Sequence, residues 1–96
     1  MNQRVNTLLH IKSIYPVLKP AERRVADEVL RRPNHVVHLS ITELAKEAKV
    51  SDATVVKFCK RLGYKGFQEF KILLAQDVVV KRSVIEGEVE PNDDIR

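Results

Sequence analysis

The fold is decided by residues 41–63, ITELAKEAKVSDATVVKFCKRLG. One residue upstream, Ser40-Ile41-Thr42-Glu43 has the spacing of a capping box. The Ser40 hydroxyl suits the Glu43 amide, and the Glu43 carboxylate suits the Ser40 amide, so a helix starts here and runs to about Lys49. Ser51 caps a second helix, and Gly63 fits the left-handed residue just past its end. Leu44 and Ala48 form the inner face of the first helix, small Ala45 permits close approach where the two helices cross, and Val50 fills the turn. Val55, Phe58 and Leu62, spaced three and four apart, give the second helix one buried face. Glycine is common in such turns. Here Lys49 occupies it, which predicts a turn built without a left-handed glycine conformation.

Two short helices and a tight turn, about Ser40–Leu62, make a helix-turn-helix. The outer face of its second helix carries Asp52, Ala53, Thr54, Lys57, Lys60 and Arg61. Where such a helix enters a major groove, its first residues meet base edges. The small polar group Ser51, Asp52, Ala53 and Thr54 lets it go deep, and an alanine or threonine methyl suits a thymine methyl. Lys57 follows, then Lys60, Arg61 and Lys65, and no acid stands between Ala53 and Gln68. That strip suits phosphate neutralisation. The amides of Ile41–Glu43, and those near Ser51, are further phosphate donors. The expected contacts are therefore Ser51, Asp52, Ala53, Thr54 and Lys57 near bases, and Ser40, Thr42, Lys60, Arg61 and Lys65 near phosphates.

Outward from this hairpin the chain reads as helical throughout. Val5, Leu8, Leu9, Ile11 and Tyr15 make a helical stripe that Pro16 ends. Pro20 opens a second helix to about Arg32, with Val25, Ala26, Val29 and Leu30 inward and Arg31 and Arg32 at its negative end. His35–Leu39 reads as an irregular apolar link. A last helix spans about Phe67 to Lys81, with Phe67, Phe70, Leu73, Leu74 and Val78 facing in. The expectation is an all-α, five-helix, homeodomain-like bundle over 1–82, with 83–96 as a solvated acidic linker.

Composition narrows the function classes. Ninety-six residues make one domain, with a core of Val, Leu, Ile and Ala because aromatics number only five and Trp is absent. Residues 86–96 hold five acids against one arginine, so 1–85 hold sixteen Lys/Arg against eight Asp/Glu, and the folded part suits a polyanion. The single cysteine, Cys59, excludes an intrachain disulfide and fits a reducing compartment; beside Phe58 it reads as a small buried hydrophobe. No run reaches the roughly 18 apolar residues of a membrane span, and Met1-Asn2-Gln3-Arg4 lacks the apolar stretch of a signal peptide. A cytoplasmic protein, nucleoid-associated when bound, is expected. His35-x-x-His38 has no Cys or carboxylate cluster in sequence to complete a metal site, and no nucleophile–base group or phosphate loop is present. No cofactor, no metal and no enzymatic activity are expected. Tyr64 and Phe67 suit core packing better than nucleotide stacking.

The residues also resemble a family. Leu18-x-x-Ala21-Glu22-x-x-Val25-Ala26, Ser40-Ile41-x-x-Leu44-Ala45, Val50-Ser51-x-Ala53-Thr54-Val55-Val56-x-Phe58-Cys59 and Leu62-Gly63-Tyr64-x-Gly66-Phe67-x-x-Phe70-Lys71 are similar to the N-terminal domain of RpiR-type bacterial transcriptional regulators, over about residues 1–80. The resemblance implies a double-stranded DNA operator as partner, a homodimer or higher oligomer, and a sugar-phosphate effector bound by a SIS domain absent from this chain. It further implies control of carbohydrate-metabolism genes. The family commonly has Arg where this chain has Lys57, which keeps charge and loses the bidentate fork. A LacI-type domain also suits Val50-Ser51-x-x-Thr54-Val55, but there the motif lies near the N-terminus, and here two helices precede it. The alternative of another class is a helical protein-interaction module without DNA binding.

Overall fold

A computed structural model describes the backbone of residues 6–89 and the side chains of residues 6–78. Its elements are α1 (Thr7–Ile14), a 3-10 turn (Tyr15–Val17), α2 (Pro20–Arg31), α3 (Pro33–Val36), α4 (Ile41–Ala48), α5 (Asp52–Arg61) and α6 (Phe67–Val89). The described residues contain no strand.

Local chemistry sets most of these limits. The Asn6 side chain accepts the Leu9 N–H at 2.7 Å and starts α1. The 3-10 turn around Pro16 breaks the chain direction before Pro20 opens α2. The link expected at His35–Leu39 begins earlier as a single helical turn, opened by Pro33, that buries Val36 completely. The last helix exceeds its expected end at Lys81 and continues to Val89. Residues 82–89 contain no proline, and the acidic Glu86 and Glu88 are good helix formers. The first part of the expected 83–96 linker is therefore helical, whereas 90–96 lie outside the described residues.

Helices α2, α4 and α5 pack on one another; α1 and α6 pair along the outside, and α3 ties α2 to α6. Every element except the 3-10 turn contributes to a single core, including Ile11, Val25, Val29, Val36, Leu44, Val55, Phe58, Phe70 and Leu74. Phe58 and Phe70 meet edge to face, with centroids 5.7 Å apart at 82°, a favoured aromatic geometry. Tyr64 and Phe67 pack against this core, as their sequence positions predict. Not all of the expected α1 stripe is buried: Ile11 is, Leu8 is half-buried, Leu9 is 55% exposed, and Val5 lies outside the described residues. Eight residues are two turns, so α1 presents only one narrow line to the core.

Candidate nucleic-acid interface

The recognition hairpin is α4, its turn and α5. The capping box at Ser40 forms as its sequence predicts: the Glu43 N–H donates to Ser40 Oγ at 3.1 Å, and the Ser40 N–H donates to the Glu43 carboxylate at 2.8 Å. That occupies the Glu43 amide and leaves only Ile41 and Thr42 of the expected amide donors in this first turn. Val50 N–H bonds the Ala45 carbonyl at 2.9 Å and Lys49 N–H bonds the Lys46 carbonyl at 3.1 Å. This six-to-one closure needs a left-handed residue at its apex. Lys49 supplies it, with φ 62° and ψ 46°. The expectation of a turn free of that conformation is thus wrong: the hydrogen-bond geometry imposes it, and a lysine bears the strain. The same closure ends α5, where Gly63 takes φ 95° and Tyr64 N–H bonds the Cys59 carbonyl at 3.1 Å.

Inward, Val55, Phe58, Cys59 and Leu62 fix the rotation of α5, and Ala45 and Ala48 let α4 lie close. Cys59 is fully buried, and burial pushes its thiol up to about 12, so it is an inert hydrophobe. Two tethers hold the α5 C-terminus. His10 Nε2 lies 2.8 Å from the Leu62 carbonyl and, as donor, caps it; Tyr64 Oη lies 3.1 Å from Thr7 Oγ1.

Outward, the expected site residues fall into groups. Ser51 Oγ accepts the Thr54 N–H at 3.2 Å and lies 3.1 Å from Thr54 Oγ1, so capping orients both hydroxyls. Thr42 Oγ1 donates to Asp52 Oδ2 at 3.0 Å, which ties the starts of α4 and α5 together. Asp52, Ala53, Lys57 and Lys60 are exposed, and Thr54 is half-buried. Lys65 is exposed in the loop before α6, where its own N–H donates to the Glu69 carboxylate at 2.7 Å. Lys57, Lys60 and Arg61 line one concavity with Lys19 and Glu22, and Lys65 lies outside it.

Sequence reasoning missed Glu22. Its carboxylate is buried at 2% exposure, accepting Arg61 Nε at 3.0 Å, Arg61 Nη2 at 3.3 Å and the Lys19 N–H at 3.1 Å. Burial pushes this carboxyl up, but the Arg61 guanidinium and the Lys19 N–H outweigh it and hold the group below its ordinary value. An acid in the third position of a proline-initiated helix was the available signal; its basic partner, 39 residues away, had none. A second buried acid, Glu28, is bound by Arg31 and Arg32. His35 bonds Glu47 at 2.9 Å, and no cluster of three metal-ligating side chains occurs among the described residues.

A hairpin whose second helix is clamped on its inner face and shows a basic outer edge defines a helix-turn-helix domain of the DNA-binding kind. The model of the helix-turn-helix domain of the rpiR family matches residues 5–81, and this chain belongs to that family. An uncharacterised HTH-type transcriptional regulator of Haemophilus influenzae is 41% identical over 93 residues, 93% of this chain and 32% of that protein. The N-terminal domain of the Bacillus subtilis ybbH regulator superposes with a TM-score of 0.69 at 40% identity, over 71% of this chain and 83% of that one. Vibrio vulnificus NanR, solved with ManNAc-6P, gives 0.76 at 32% identity, over 86% of this chain and 32% of that one. The chain thus spans about a third of the regulators it resembles. It also matches 13% of the bifunctional protein glk of Paraburkholderia xenovorans, at 37% identity, so the domain occurs in proteins of very different length.

Proposed function

We propose that this chain is the DNA-reading part of a transcription regulator. Helix α5 enters the major groove with Ser51, Asp52, Ala53, Thr54 and Lys57 near base edges, while Ser40, Thr42, Lys60 and Lys65 flank the phosphates. The observation that carries this reading is the division of α5: Val55, Phe58, Cys59 and Leu62 are locked inward, so Ala53, Lys57 and Lys60 are presented outward from a rigid mount. Membership of the rpiR helix-turn-helix family supports it. The chemistry of the chain is recognition, not catalysis; a catalytic activity in any longer protein resides in another domain, which fits the small share of the glk protein that the chain matches.

In the full-length regulator the chain works as a dimer or higher oligomer, with half-sites about one helical turn, roughly 34 Å, apart. A sugar phosphate bound outside this domain sets operator occupancy, and the controlled genes serve sugar metabolism. The complex of NanR with ManNAc-6P supports that class of effector. The place of this work is the cytoplasm, at the nucleoid when bound, as membership of a transcription-regulator family suggests; none of the described helices is long and apolar enough to cross a membrane.

The test separates reading from holding. A duplex recovered by selection from random DNA, and a random-sequence duplex, are titrated by fluorescence anisotropy across salt. About four to six phosphate contacts give a log–log slope of roughly −4 to −5. Lys60→Ala lowers affinity for both duplexes alike and reduces the slope by about one. Thr54→Ala costs about 1–3 kcal/mol on the selected duplex, spares the random one and leaves the slope unchanged. A wild-type slope near zero refutes DNA binding. An unchanged specificity ratio in a stably folded Thr54→Ala protein removes Thr54 from the reading face.

A further inference from the structure

The concavity between α2 and α5 has a charge balance that the hairpin alone does not explain. Five ionisable side chains line about 420 Å³: Lys19, Glu22, Lys57, Lys60 and Arg61. Glu22 and Arg61 neutralise each other through two hydrogen bonds, and the buried carboxylate holds the guanidinium from the side. Among the described residues no carboxylate lies within ion-pair distance of Lys19, Lys57 or Lys60. Three lysines therefore line one concavity whose single acid is already hydrogen-bonded to Arg61. Holding them together in water is unfavourable, and an anion there relieves it.

We infer that this concavity is a DNA backbone phosphate clamp, in which Lys19 of the α2 start acts with Lys60, while Lys57 at its edge faces the bases. Arg61 does not grip phosphate; it is a positioning residue that, through Glu22, docks the last turn of α5 onto the first turn of α2. The inference rests on the major-groove reading of α5 and adds a contact from outside the hairpin.

Placement along α5 supports the assignment. The α4 start meets the α5 start through Thr42 and Asp52, whereas Lys19 meets the far end beside Lys60 and Arg61. From Asp52 to Arg61 the axial rise is roughly 14 Å. The major groove is about 12 Å wide. Lys19 therefore stands at the end of α5 away from Ser51–Thr54, where a phosphate wall flanks the groove. Lys19 is suited to the task because its ammonium makes no hydrogen bond or ion pair among the described residues, adding only a distant attraction to Glu22 beside the bond from its backbone N–H, and the residue is exposed. A lysine delivers charge to a phosphate as a point contact, with no need of a fixed fork.

The test uses this 96-residue chain and a random-sequence 20-bp duplex, so no operator is needed. Lys19→Ala is expected to reduce the log–log salt slope by about one and to weaken binding roughly fivefold at 0.15 M salt, as loss of one phosphate contact requires. Its melting temperature stays at the wild-type value. Lys12→Ala, an exposed lysine on α1 away from the concavity, leaves the slope unchanged. Replacing the pair together, Glu22→Gln with Arg61→Gln, removes no net charge and leaves the slope near wild type. A slope unmoved by Lys19→Ala while wild-type binding is steeply salt-dependent overturns the clamp alone; a flat wild-type slope overturns the underlying reading too. A folded double variant that loses a full unit of slope shows Arg61 to be a phosphate ligand and overturns its positioning role.

Discussion

The left-handed Lys49 makes a prediction whose sign depends on two opposing magnitudes. An L-residue with a Cβ in this region costs about 1–2 kcal/mol relative to the right-handed helix. Glycine escapes that cost but gives up more freedom on folding, about 0.5–1 kcal/mol relative to alanine. The first term is the larger, so Lys49→Gly should stabilise the domain by about 0.5–1 kcal/mol. For a domain of 60–100 residues, 1 kcal/mol moves the melting temperature by about 4–8 °C, so an increase of roughly 2–8 °C is expected. The lost side chain does not confuse the result, because Lys49 is exposed and its only tertiary hydrogen bond among the described residues is made by its carbonyl, which accepts Arg24 Nη1 at 3.4 Å. Lys49→Ala controls for charge: alanine keeps the left-handed cost, so its melting temperature should barely move. Gly63→Ala runs the same argument backwards. A Cβ there meets nothing within 4 Å, so the expected loss of about 1 kcal/mol comes from backbone conformation alone. Thermal unfolding followed by circular dichroism, with urea titration as a second measure, reads all three variants. If Lys49→Gly melts at or below wild type while Gly63→Ala is harmless, the two helix ends do not need left-handed residues and the turn has been misread.

Two further outcomes follow from the core and the buried acids. Phe58→Ala should cost about 3–5 kcal/mol, since the ring is fully buried against Phe70 on the helix that carries the reading face; a melting temperature within two degrees of wild type would mean that α5 is rotated from the orientation described. The Glu28 carboxyl is held below its ordinary value, 4.5, by Arg32 first and Arg31 as well, against the opposing effect of burial. Glu22 is likewise depressed. Because the unfolded chain takes up these protons at higher pH than the folded one, the stability they confer is complete above the ordinary carboxylate range and is lost as pH falls through and below it. Urea midpoints should fall between pH 5 and pH 3 and fall less in Glu28→Gln; an equal fall in both would show that Glu28 is not depressed.

By itself the sequence determined the parts that local chemistry controls. Ser40 with Glu43, Ser51 and Pro20 mark helix starts because capping and proline geometry act within a few residues, and Val55, Phe58 and Leu62 name a buried face because helical periodicity does. The exposure of Lys57 and Lys60 follows from the same periodicity. Tertiary structure decided what depends on partners distant in the chain. The bond of the Arg61 guanidinium to Glu22, 39 residues earlier, and that of the Thr42 hydroxyl to Asp52 have no signal in the neighbouring sequence. Nothing in its neighbours marks Lys19, which stands in a concavity with two lysines of α5. The conformation of Lys49 was likewise settled by closure of the α4 end rather than by residue preference. Capping and periodicity are short-ranged and survive in the order of residues, whereas the pairing of charges depends on which helix ends the packed core brings side by side.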